Sequence, residues 1–291
     1  PSSGGLHVIQ MLNIVENYDL KNMGHNSTNY VNLLAEVMKY AYSDRSKYLG
    51  DPDFYDVPVE KIISKEYAAE INDNIDIGLS TPVDDIYPGK FLDRESHETT
   101  HFSVVDEEGN VVSMTYTLNS TFGSKVVVKG TGILMNNEMD DFSAAPGVPN
   151  QFNLLGADAN TIAPYKRPLS SMTPTIVLKN NELFFTTGSP GGARIISAVF
   201  QSILNIIDFK MNLEEATLAK RLHHQWYPDM LEFEFSIDEK INDELKNMNY
   251  ITKTTLPLTC LQTIMFIEDT YYGYGDFRRV DALASGNINV R

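Results

Sequence analysis

The 291-residue chain carries 39 Asp and Glu against 23 Lys and Arg, a formal charge of −16, and 42% of its residues are apolar. That apolar share suits one large α/β domain or two small ones, and the acidic excess works against nucleic acid or an anionic membrane surface as a partner. A single cysteine, Cys260, excludes an internal disulfide and a cysteine-built metal site, and no run of about 18 apolar residues is present to span a membrane.

Gly4 and Gly5 precede an amphipathic run, residues 6–16, whose Val8, Ile9, Met11, Leu12, Ile14 and Val15 form the broad stripe of a core helix. Ser27 or Thr28 can cap a second helix, residues 30–49, with Ala35, Val37, Met38, Ala41 and Tyr42 on its buried face and Asp51-Pro52-Asp53 ending it. Residues 58–74 read as one or two short helices. Residues 77–98 are polar and contain Pro82, Pro88 and Gly89, which predicts an exposed connector. The texture then changes to strands. Residues 102–105 and 110–118 flank a turn at Asp106-Glu107-Glu108-Gly109-Asn110, a hairpin that in regular register returns Thr117 to Thr99. A third strand is expected at 132–136, then a long loop at 140–163, of a length that usually carries function. A second hairpin pairs 175–178 with 183–187 around Asn180-Asn181. Helices are expected at 193–208, 213–221 and 238–247, and strands at 231–235 and 264–274.

Alternation puts Thr99, His101 and Ser103 on one face of the strand that opens the second half. Taken alone, Thr99-Thr100 is an ordinary strand start, because Thr is a good β residue. Gly191 and Gly192 stand where a strand runs into a helix, so their amides point outward with the helix's partial positive charge behind them. Such a turn suits an oxyanion; a phosphate fits less well, since Ala193-Arg194 replaces the Lys-Ser/Thr of a P-loop. His223 and His224, adjacent on a regular element, cannot both face one metal, and no ligand cluster accompanies them, so no metal site is expected. Asn26-Ser27-Thr28 and Asn119-Ser120-Thr121 match a glycosylation pattern that is frequent by chance. A Gly-x-Ser-x-Gly elbow is lacking, which argues against an α/β-class serine hydrolase.

Six collinear motifs run over nearly the whole chain. They are Pro1-Ser2-Ser3-Gly4-Gly5, Thr99-Thr100-His101, Thr115-Tyr116-Thr117-Leu118-Asn119, Asn136-Asn137-Glu138-Met139-Asp140-Asp141-Phe142-Ser143, Lys166-Arg167-Pro168-Leu169-Ser170-Ser171-Met172 and Gly188-Ser189-Pro190-Gly191-Gly192. With them the chain resembles the γ-glutamyltransferase family of N-terminal nucleophile hydrolases. The resemblance implies a four-layer αββα sandwich of mixed α/β (α+β) class. It implies a precursor that cuts itself between Glu98 and Thr99, leaving 1–98 as the C-terminal part of a large subunit and 99–291 as the small, catalytic one, together one domain.

The same resemblance implies the roles. Thr99 is the nucleophile, and the α-amine freed by cleavage, with a reference pKa of about 7.7–8.0, is its base. Thr117 orients the Thr99 hydroxyl, and Gly191 and Gly192 form the oxyanion hole. Asn119, Glu138 and Asp141 anchor the α-amino group of a γ-glutamyl donor such as glutathione, and Ser170 and Ser171 its α-carboxylate. Glu138 stands where the family often has Gln, adding negative charge beside the ammonium. Water or an amino acid or peptide acceptor would take the acyl group, with no cofactor and no metal. Rival readings are a poly-γ-glutamate depolymerase, a glutaryl-type acylase, and an unprocessed relative that only binds.

The family places its carboxylate-binding arginine upstream of the opening motif. An upstream part, with any export signal, is therefore expected beyond this stretch, and a periplasmic or extracellular location with it. Without that part, the helices at 6–16 and 30–49 are expected to expose apolar faces. None of Lys125, Lys166, Arg167 and Arg194 stands where the family's arginine does.

Overall fold

The computed structural model describes residues 2–86, 99–234, 236–280 and 282–286. Helices α1 (Gly4–Val15), α2 (Leu20–Met23), α3 (Thr28–Tyr48), α4 (Val59–Ile62) and α5 (Lys65–Asn72) come first. Strands β1 (Thr100–Val105), β2 (Val111–Tyr116), β3 (Thr175–Lys179) and β4 (Glu182–Thr187) follow, then α6 (Arg194–Ile207) and α7 (Leu213–Leu218). The chain continues through β5 (Leu222–His223), β6 (Leu231–Glu234), α8 (Glu239–Asn247), β7 (Thr252–Thr255), β8 (Gln262–Ile267) and β9 (Thr270–Gly275). The class is α+β, as the motifs imply.

Three layers position the site. Helices α1, α3 and α6 pack together, and their apolar residues join Phe185 of β4 and Met265 of β8 in one core. That core takes residues from both sides of Thr99, from Val8 and Leu33 to Phe200 and Trp226. Beyond the helices lies a sheet of order β3-β4-β8-β9, and the β1-β2 ribbon packs on it through β8, β3 and β4. The ribbon's register pairs Thr100 with Tyr116, Phe102 with Met114 and Val104 with Val112. Phe102, Val104, Val112, Met114 and Tyr116 are all exposed, so its outer face is an apolar strip. A third sheet, β5-β6-β7, has β6 and β7 parallel.

Several expectations need correcting. The apolar faces of α1 and α3 are for the most part not laid open, because α6 and the rest of the core cover them, although Ile9 of α1 is 46% exposed; the larger exposed apolar face belongs to the β1-β2 ribbon. The strand expected at 132–136 is a single bridge, Val127 to Leu134, at the base of an excursion turned by Gly130 and Gly132 at φ 84° and 75°. Val126, Val127, Ile133 and Met135 around it are exposed. The strand expected at 264–274 is two strands, β8 and β9, reversed at Glu268 and Asp269, both at positive φ. Strands β5 and β7 were not foreseen. The connector is buried at its start, since Ser80, Val83 and Ile86 are inside; its remainder, 87–98, lies outside the described residues.

Helix α3 holds that connector. Ser27 caps it, accepting from Tyr30 N at 3.3 Å. Its Glu36 and Lys39 are fully buried and ion-paired at 2.7 Å, and Lys39 also donates to Ser80 Oγ at 2.7 Å and Thr81 O at 2.9 Å. Tyr250 OH donates to Glu36 and accepts from Asn32 Nδ2 at 2.8 Å. Across the core, Trp226 Nε1 donates to Val83 O at 3.0 Å. Replacing Glu36 with Ala strands a buried ammonium and is expected to cost about 3–5 kcal/mol. The double replacement Glu36→Leu, Lys39→Met is expected to cost less, as urea denaturation of the three proteins will measure.

Candidate active site

Thr99 enters β1 from its buried end, with 9% of its surface exposed. Thr117, one residue past β2, faces it across the hairpin, the two hydroxyl oxygens 3.5 Å apart. That is within reach, though longer than a formed hydroxyl pair. Thr117 Oγ1 also accepts from Asn119 N at 2.8 Å, which fixes its rotamer. Asn119 is buried at φ 75°, a left-handed turn that Asn tolerates, and its amide donates to Asn137 O at 3.1 Å. Glu98, on the far side of the expected scissile bond, lies outside the described residues.

The alternation expected for β1 holds. His101 is buried, and its ring nitrogens lie 2.8 Å from Thr115 Oγ1 and 3.2 Å from Ser103 Oγ. Burial pushes its pKa down to about 4, so it is neutral near pH 7. The ring fills the space above Gly188, where a Cβ would sit 2.2 Å from Cε1. The end of β1 is thereby fastened to the end of β4, which leads into Gly191 and Gly192.

These glycines, at φ 135° and 56°, form the turn into α6, and their carbonyls accept from Arg194 N and Ile195 N at 3.0 and 3.2 Å. A Cβ on Gly191 would lie 2.9 Å from Thr259 Cγ2. Both residues are buried, and among the described residues neither amide N–H donates to a protein acceptor. Buried N–H groups are almost always paired, so two left open side by side are donors available to something else. Tyr42 OH, donating to Ala193 O at 2.5 Å, anchors this turn to α3.

Glu138 and Asp141 lie on a 3₁₀ turn, Glu138–Asp141, just past Asn137. Their carboxyl groups lie close enough to raise each other's cost of ionisation. Burial first, and then the charge of Glu138, pushes Asp141 up to about 8 against the pull of Arg45; burial raises Glu138 too. Asn160 Nδ2 donates to Asp141 O at 2.7 Å, and Asn160 Oδ1 accepts from Leu169 N at 3.0 Å. One amide thus ties the acidic turn to the loop carrying Ser170 and Ser171. Ser171 Oγ accepts from Arg45 Nη2 at 3.1 Å, Ser3 Oγ donates to Ser170 O at 2.8 Å, and Ser2 forms a parallel bridge with Ser170.

Every described residue singled out for the site therefore falls along one run of contacts, from Thr99 through Thr117, Asn119, Glu138 and Asp141 to Ser171 and Ser170, with Gly191 and Gly192 tied in through His101 and Tyr42. Sequence reasoning missed Arg45, Ser3, Asn137 and Asn160. Arg45 lies in Ser43-Asp44-Arg45-Ser46, a polar run that looks like a solvated helix face, and nothing local marks it. Arg167 pairs with Asp51, with Nε and N both 2.9 Å from Oδ2, and Arg194 pairs with Glu232. Both side chains are thus engaged by carboxylates. Among the described residues no group of three or more His, Cys, Asp or Glu could hold a metal.

Residues 1–286 match the family model described as gamma-glutamyltranspeptidase. The chain belongs to the γ-glutamyltranspeptidase family. It is 52% identical over 289 residues to a glutathione hydrolase proenzyme of Escherichia coli K12, covering 98% of this chain and 50% of that protein. It thus spans about half the length of this relative. A γ-glutamyltranspeptidase structure from Helicobacter pylori, 48% identical with a TM-score of 0.61, covers 62% of this chain and is itself covered completely, at 100%. A cephalosporin acylase structure from Bacillus halodurans, 25% identical with a TM-score of 0.79, covers 99% of this chain and 51% of its own. The family accounts for the fold class, and the αββα sandwich is that of the N-terminal nucleophile hydrolases.

The raised pKa of Asp141 has a measurable effect. An acid whose pKa is higher folded than unfolded stabilises the fold while protonated, and that contribution is lost as pH rises through the folded pKa. For Asp141 the loss is expected between its usual carboxylate range and about pH 8. Asp141→Asn, which cannot ionise, is expected to flatten the fall in stability over that window, as read from urea midpoints at several pH values.

Proposed function

We propose that this chain is the catalytic half of an autoprocessed γ-glutamyl hydrolase and transferase acting on glutathione-like donors. The observation that carries this reading is that two groups of different chemistry are linked to Thr99 by contacts. Through His101 and Gly188 its strand meets the turn with the open, buried amides of Gly191 and Gly192. Through Thr117, Asn119, Asn137 and Asn160 it is linked to a clamp of carboxylates, Glu138 and Asp141, and hydroxyls, Ser170 and Ser171. A γ-glutamyl donor has the matching layout, with an ammonium and a carboxylate on one carbon and the scissile amide at the far end. A glutaryl group has no ammonium for Asp141, which disfavours the acylase reading.

Maturation begins with the Thr99 hydroxyl attacking the Glu98 carbonyl carbon. The acyl group passes from nitrogen to oxygen, and water then hydrolyses the ester, giving a Glu98 carboxylate and a free Thr99 amine. In turnover that amine takes the proton of the Thr99 hydroxyl as Oγ attacks the donor's γ-carbonyl carbon. Thr117 holds the hydroxyl in line, and the Gly191 and Gly192 amides receive the oxyanion, a contribution of about 2.7–4 kcal/mol for such a donor. The proton passes to the leaving amine, a γ-glutamyl ester remains on Thr99, and water or an acceptor amine releases it.

An upstream segment, absent from these 291 residues, is the proposed partner, and the apolar strip of Phe102, Val104, Val112, Met114 and Tyr116 is the proposed place for its layer of the sandwich. A periplasmic or extracellular location belongs to the same reading.

Thr99→Ala is expected to leave one uncut chain and Thr99→Ser to cut more slowly. Mass spectrometry of the purified proteins decides this, and a Thr99→Ala protein that still yields a fragment starting at residue 99 ends the proposal. Asp141→Asn is expected to mature normally yet lose about 1.5–3 kcal/mol of donor binding, the value of a hydrogen bond to a charged group. Release of p-nitroaniline from γ-glutamyl and glutaryl anilides checks it, since equal losses on both would point to a folding role.

A further inference from the structure

The serines at the carboxylate end of the clamp are held by a buried cation from the other part of the chain. Arg45, near the end of α3, is 4% exposed, and its Nε and Nη2 donate to Ser3 Oγ and Ser171 Oγ, each at 3.1 Å. Ser3 is itself buried, and both its Oγ and its N donate to Ser170 O, at 2.8 and 2.9 Å. Ser170 Oγ accepts from Met172 N at 3.1 Å. Each serine oxygen therefore already accepts one bond. Among the described residues neither hydroxyl donates to a protein acceptor, and no carboxylate forms an ion pair with Arg45.

A hydroxyl has one proton and two lone pairs. An N–H fixed on a lone pair turns the proton away from that donor. At Ser171 the N–H comes from an ionised guanidinium, which further polarises the O–H it leaves free. Two protons set in this way, backed by a buried positive charge, suit a carboxylate. The arginine fork spans Ser3 and Ser171 together, which a lysine's single ammonium on a flexible stem does not reproduce. Gly4 keeps the clasp tight, because a Cβ there would lie 2.1 Å from Thr173 Oγ1.

We propose that Arg45 is a positioning residue for the donor's α-carboxylate: it makes Ser171 a hydrogen-bond donor and, through Ser3, fixes the backbone of Ser170, without touching the substrate. This rests on the γ-glutamyl reading above and deepens it.

The test uses the full-length protein carrying this sequence, assayed with γ-glutamyl p-nitroanilide. The competing inhibitors are L-glutamate and 4-aminobutyrate, which is glutamate without its α-carboxylate. Arg45→Met is expected to raise KM and the glutamate Ki about ten- to a hundredfold, the effect of losing one charge-assisted hydrogen bond. The 4-aminobutyrate Ki and kcat are expected to stay within about threefold, a difference smaller than one such bond. Added to Ser171→Ala, the Arg45 change is expected to cost less than it does alone, because one of its two routes, the Ser171 hydroxyl, is already gone. Equal rises for both inhibitors, or full additivity with Ser171→Ala, would overturn the proposal. Ser3→Ala, which cuts the link to Ser170 while keeping the guanidinium, serves if Arg45→Met does not fold. A loss selective for glutamate supports the proposal, and an unselective loss or no change defeats it. A wild-type protein that does not cleave the anilide would instead defeat the γ-glutamyl reading itself.

Discussion

A buried helix that carries charged residues must find a partner for each of them, and α3 is built under that constraint. Glu36, Lys39, Asp44 and Arg45 are all inside, where an unmatched charge costs several kcal/mol. Each therefore dictates the position of something distant. Lys39 fixes the start of the connector at Ser80 and Thr81; Asp44 takes Gln10 Nε2 at 2.6 Å and Tyr67 OH at 3.0 Å, tying α1 and α5 to α3. One helical turn then serves both ends of the site. Tyr42 secures the Gly191 turn, and Arg45, three residues on, secures the serines.

The electrostatics of the site run against the charge of the chain. The protein is strongly acidic, yet the carboxylates that matter most here are kept from full ionisation by burial and by each other. Under the γ-glutamyl reading, a donor's ammonium would take over the charge that the retained proton balances, so the net charge of the pair would hardly alter. Arg45 limits how far the pair can hold its proton, since the charge that orders the serines also favours ionised Asp141.

Much of this was legible from residue pattern, and what was not has a physical reason. Alternation in residues 99–103 gave the buried face of β1, and the hairpin turn gave Thr117 its place opposite Thr99, because both are local rules of strand geometry. The Asn180-Asn181 turn was equally plain, both residues sitting at positive φ. Local rules also misled. Residues 77–86 are polar in composition but are pinned by Lys39, Asn32 and Trp226, residues far off in sequence. Residues 264–274 read as one strand because Glu268-Asp269 lacks the Gly that usually marks a tight reversal. Arg45 is the sharpest case: its role depends on Ser3 and Ser171, 42 and 126 positions away, and no periodicity records such a meeting.

The large core shared by residues on both sides of Thr99 bears on the order of events in the life of the protein. While the backbone is whole, the two sides find each other as parts of one chain, at an effective concentration set by the connector. A cut at Thr99 turns any later refolding into a meeting of two separate molecules, each lacking half of the apolar surface it needs. Folding must then come first and cleavage second, and a matured protein once unfolded would recover with an efficiency that depends on its concentration. Such a molecule is assembled once, and its lifetime is governed by how slowly the core opens.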